Sequence, residues 1–116
     1  MRDILLHAAG VIAILVSIAH SVLGETKVFA RATIEPPRLR TLIHLVWHAG
    51  TVAWIAGGVL LFAAPWMGSD IARHWIIGTS AVVFGVAAVG NALATRTVHP
   101  GWIGMSAAVA LSIAGY

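Results

Sequence analysis

Polar residues in this chain are confined to a few short breaks, and four apolar stretches run between them. The first three carry about 20 residues each of nearly unbroken Leu, Ile, Val, Ala and Gly, enough for an α-helix to cross a hydrocarbon core of roughly 30 Å. A membrane-barrel strand would show about 10 residues of alternating character, and no stretch does. In lipid, backbone amides must find their partners within the structure itself, and here that leaves helices. The pattern predicts helices over 4–24, 38–64, 71–95 and 100–116. The last, about 17 residues long, is at the lower limit for a crossing.

The breaks have their own chemistry. Gly24, followed by the polar stretch from Glu25 to Arg40, is expected to close the first helix. Pro36 and Pro37 open the second, since proline suits a first helical turn. Pro65 to Asp70 reads as a tight turn with Ser69 or Asp70 as N-cap, and Arg96 to His99 as a turn leading into Pro100. Short connections imply antiparallel neighbours. The expected fold is all-α: an integral membrane antiparallel four-helix bundle, with residues 1–116 forming a single transmembrane domain.

Composition agrees with this picture. Of 116 residues, 59% are hydrophobic and 9% charged, with mean hydropathy +0.93. A soluble domain carries roughly a quarter charged residues, and a body this small is mostly surface. The chain contains no cysteine, so disulfides and thiolate metal sites are excluded. The net charge of +3 comes from a few basic residues in the breaks, which reads as positive-inside bias and not as a nucleic-acid surface. Lys27, Arg31, Arg38, Arg40 and Arg96 fall on one side, and only Arg2 and Arg73 on the other. The expectation is a multi-pass protein of the bacterial inner membrane, contacting membrane lipid, with both termini on the outer face. The first stretch is longer than a signal-peptide core and carries His7 and His20, so it is expected to remain as a span. Trp66, Trp75 and Trp102 lie near span ends, where indole rings favour the headgroup layer, whereas Trp47 and Trp54 sit inside the second span.

Six histidines in so apolar a chain change the picture more. Antiparallel threading puts His20, His44, His48, Asn91 and His99 near the cytoplasmic boundary, with Glu25 in reach. His44 and His48 are four residues apart, on one helix face, a spacing at which two imidazoles can hold one ion. His20 shares a stripe of small residues with Gly10, Ala13, Ser17 and Gly24, which points it at protein. Gly101, Gly104, Ala108, Ser112 and Gly115 form a similar stripe on the fourth span. The expected site has His20, His44, His48 and Glu25 around zinc, iron, copper or manganese. A second version holds haem, with His20 and His44 or His48 as axial ligands. Glu25 follows His20 by five residues, about 140° around an ideal helix, so Gly24 must bend the chain if both are to join. Asn91, His99, Thr51 and Arg40 are the expected supporting residues, Arg40 as a counter-charge to Glu25 or a lipid-phosphate contact. Without a metal, the histidines act as polar glue between helices. His7 and His74 lie at the other end and are read that way.

The runs His20-Ser21-Val22-Leu23-Gly24-Glu25, Arg40-Thr41-Leu42 and Trp47-His48-Ala49-Gly50-Thr51-Val52-Ala53-Trp54 resemble those of a group of small uncharacterised bacterial four-span membrane proteins. The resemblance covers about a quarter of the chain and implies that His20, Glu25 and His48 belong to a recurrent pattern, with no activity attached. The stretch from His44 to Gly58 is similar to copper-resistance membrane proteins of the CopD type, which pair histidine with Trp and Gly-Gly. Three roles stay open: metal or haem binding, with any catalysis acting on a membrane-soluble substrate such as quinone or lipid; proton- or cation-linked transport; and a non-catalytic subunit. Assembly as a homo-oligomer or within a larger membrane complex is compatible with each.

Overall fold

In the computed structural model, which describes residues 1–116, every regular element is helical. Helix α1 spans Arg2–Leu23 and passes without a break into a π-helical turn, Gly24–Phe29. Helix α2 spans Pro37–Ala63, with Pro36 as N-cap and Pro37 in the first turn, where its missing N–H leaves no bond unmade. A 3₁₀ turn, Ala64–Met67, extends it. Helix α3 spans Asp70–Thr95, and the Ser69 hydroxyl accepts from the Ala72 N–H at 3.2 Å, the N-cap its position predicts. Helix α4 spans Gly101–Ala114.

Two boundaries differ from expectation. Gly24 does not end the first helix: it keeps right-handed helical angles (φ −53°, ψ −54°), and winding continues through Glu25 to Phe29. The fourth helix, at 14 residues, is shorter than the predicted span and rises only about 21 Å. The first three, taken with their π and 3₁₀ extensions, are long and apolar enough to cross a membrane.

Small residues decide which helices pair. Gly10 of α1 meets Gly58 of α2 so closely that a Cβ on Gly10 would lie 2.6 Å from the Gly58 carbonyl oxygen. Along the same contact His7 reaches Phe62 and Trp66, while Ser21 reaches His48. On α1's other flank, Val16 packs on Gly104 and Leu6 on Gly115. The α1 stripe of small residues thus seats α2, and the α4 stripe receives the larger side chains Val16 and Leu6 from α1's other flank. As a result α1 lies between α2 and α4, and α4 between α1 and α3, while α2 and α3 touch sparingly despite their short connection. The core joins Leu6, Ala9 and Ala13 to Leu61, Phe84 and Ala108.

The outer surface inverts the soluble pattern. Only 19 of 116 residues are buried, and large apolar side chains such as Leu45, Val52, Val86 and Leu93 are mostly exposed. An outer surface this rich in large apolar side chains fits helices long and apolar enough to cross a membrane. The bundle is 49 Å long, close to the 40–45 Å or so of a bilayer with its headgroups.

Candidate metal centre

The i, i+4 spacing of His44 and His48 sets their rings edge to face on α2, with centroids 4.8 Å apart. Facing them on α1 and its π turn is a second pair four residues apart, Ser21 and Glu25. One carboxylate oxygen, Glu25 Oε1, lies 2.5 Å from His44 Nε2 and 2.6 Å from His48 Nε2. Each Nε2–H donates to that oxygen, and the Ser21 hydroxyl donates to His48 Nδ1 at 3.0 Å. His48 is thereby fixed at both ring nitrogens, with Nε2 turned toward the carboxylate.

Three potential ligand atoms, one from each of Glu25, His44 and His48, lie within 4.8 Å of one another. Metal bonds to imidazole and carboxylate are about 2.0–2.2 Å, so one ion can bridge this set with small side-chain rotations. The side chains of Glu25, His44 and His48 are half to one-third exposed, which leaves an outward coordination position accessible.

The π turn positions the carboxylate. Its i→i+5 bonding widens the helix locally, a device common at functional sites. At its start, the Trp47 indole packs onto Gly24 so tightly that a Cβ there would overlap the ring at Nε1. The Trp47 N–H donates to the His20 carbonyl at 3.2 Å. At its end, the Arg40 guanidinium donates to the carbonyls of Phe29 (2.6 Å) and Ala32 (2.9 Å). Phe29 is buried and turns its ring edge-on to both His44 and Trp47.

The structure brings together three of the four expected ligands and sets His20 apart. Because Gly24 does not bend the chain, the offset between His20 and Glu25 persists. The His20 ring stacks on Trp47, 4.1 Å between centroids and 6° from parallel, and leans on Trp54 at 4.7 Å. Arg40 forms no ion pair with Glu25; it closes the carbonyl end of the π turn, where unpaired backbone acceptors compete successfully for the guanidinium. The Thr51 hydroxyl is buried and donates to the Trp47 carbonyl in its own helix. Asn91 and His99 line a cavity with His20 and take no part in the metal group. At the far end, His7 packs between Phe62 and Trp66, and His74 stacks on Tyr116. Ser21 is the site residue that sequence reasoning missed. Its signal was present: it stands four residues before Glu25, the spacing that makes His44 and His48 a pair.

The chain matches no family model, and no curated protein or solved structure shows significant similarity to it.

Proposed function

We propose that this chain is a multi-pass protein of the bacterial inner membrane that binds a divalent transition-metal ion through Glu25, His44 and His48. The observation that supports it best is the convergence of two imidazole nitrogens on one carboxylate oxygen, at 2.5 and 2.6 Å. Two histidines and one carboxylate form a donor set used for zinc and for non-haem iron when further positions stay open. Ser21 would hold His48 in orientation, as hydrogen-bonded neighbours of metal ligands do. In the membrane reading the four helices run antiparallel, and α4 is too short to cross alone and packs against α1 and α3. The basic residues Lys27, Arg31, Arg38 and Arg40 lie at the metal end of the chain's path, so the centre faces the cytoplasm and both termini face outward.

An exposed three-ligand site suits exchange of its ion or attack by a metal-bound water better than it suits a purely structural ion. The test is Zn²⁺ titration of the purified full chain in lipid nanodiscs, with metal content measured after gel filtration. One equivalent should be retained, and Glu25→Gln and His44→Ala should each release it. Retention should fall as pH drops, because imidazole ligates only when neutral. Stoichiometric retention in the double variant Glu25→Gln/His44→Ala would refute the assignment.

A further inference from the structure

Beside the metal group, a cavity of about 560 Å³ lies between the end of α1, Trp47 and the α3–α4 junction. Its volume is in the range of small-molecule sites, roughly 300–1,000 Å³, and its walls are mostly apolar. None of Glu25, His44 and His48 lines it. Three groups give it chemical character. The stacked His20–Trp47 pair presents a flat π surface. His99 Nδ1 accepts the Gly101 N–H at 3.1 Å, so the neutral ring carries its proton on Nε2, a donor left over. Asn91 Oδ1 is buried and accepts no hydrogen bond, and a buried orphan acceptor calls for a donor. The Thr95 hydroxyl does not supply it, because it donates to the Asn91 carbonyl at 2.7 Å. A Cβ on Gly101 would lie 3.0 Å from His99 Nδ1 and 3.3 Å from Asn91 Oδ1, so both groups pack against the same bare glycine at the start of α4.

We propose that this cavity binds the headgroup of a lipid-soluble hydroquinone. A ring hydroxyl would donate to Asn91 Oδ1 and accept from His99 Nε2–H, while the ring stacks on the His20–Trp47 surface. Val16, Leu23 and Met105 offer an apolar path for a tail. An acyl chain would leave Asn91 unanswered, and a sugar would face apolar walls. The oxidised quinone offers carbonyls only, so it cannot supply the donor that Asn91 lacks. Access for a lipid-soluble ligand rests on the membrane reading above, but not on the metal.

The test titrates decylubiquinol and, separately, decylubiquinone into the full chain in nanodiscs, following tryptophan fluorescence. Saturable quenching is expected, with the reduced form bound at least threefold more tightly. Asn91→Leu should abolish that preference. Ala19→Phe, which fills the cavity from α1, should abolish the saturable component while circular dichroism stays unchanged. Glu25→Gln should release metal and leave ring binding intact, which separates failure of one site from failure of the other. Unsaturable quenching of the wild type, tighter binding of the oxidised form, or wild-type affinity in folded Ala19→Phe would each overturn the proposal.

Discussion

The two ends of the bundle each join helices through polar side chains, but they do so with opposite chemistry. At one end Arg73 donates to Asp3 Oδ1 at 2.7 Å and to the Gly115 carbonyl at 2.9 Å, tying α1, α3 and the end of α4. Arg2 adds a bond to the Tyr116 carbonyl. At the other end Glu25 meets two imidazoles held in place by Ser21 and the π turn. A guanidinium has donors and no lone pair, so Arg73 brings no ligand atom to its carboxylate partner and serves that contact only as a counter-charge. Imidazole nitrogens and a carboxylate keep lone pairs once their protons leave. The comparison teaches that a carboxylate's partner determines whether a polar contact only fastens helices or also gathers several ligand atoms at one point.

Substitutions can break that contrast or sharpen it. His48→Ala should have the largest effect, lowering Zn²⁺ affinity by at least about 100-fold in a competition titration, beyond what loss of an outer partner does. Gly24→Ala comes next. Its methyl group would displace Trp47 at the start of the π turn, and unfolding in denaturant should show a loss of about 1–3 kcal/mol. Ser21→Ala should keep the three ligands and weaken Zn²⁺ binding roughly tenfold, by freeing the His48 ring. Arg73→Met should do the reverse of His48→Ala: the thermal midpoint falls by roughly 5 °C while Zn²⁺ affinity is unchanged. His20→Ala should leave Zn²⁺ affinity within about twofold of wild type, since that ring lies outside the group formed by Glu25, His44 and His48. A large loss of Zn²⁺ affinity in that variant would restore the four-ligand arrangement expected from sequence.

The sequence carried the helices because hydropathy and breakers act locally. Pro36-Pro37 and Ser69 mark starts whose physics lies within one turn. The π turn was not legible, because Gly-Glu-Thr-Lys reads as a helix end and its winding depends on Trp47 and Arg40 arriving from α2. For the site, threading gave depth along the bundle but not rotation about each helix. Depth sufficed for Glu25, His44 and His48. It does not give the orientation of His20, whose ring stacks on Trp47 and lies outside that group. For Arg40, charge complementarity to Glu25 was visible in the sequence, whereas the open carbonyls of Phe29 and Ala32 that it meets were not.

Trp47 touches both regions of this end: its indole is stacked with His20 on the cavity wall, and the Phe29 ring that abuts it also abuts His44. One indole plane therefore stands between the cavity wall and the ring that abuts His44. Thermodynamic reciprocity constrains binding at the two sites jointly: whatever factor an occupant of the cavity imposes on cation affinity, the cation must impose on that occupant.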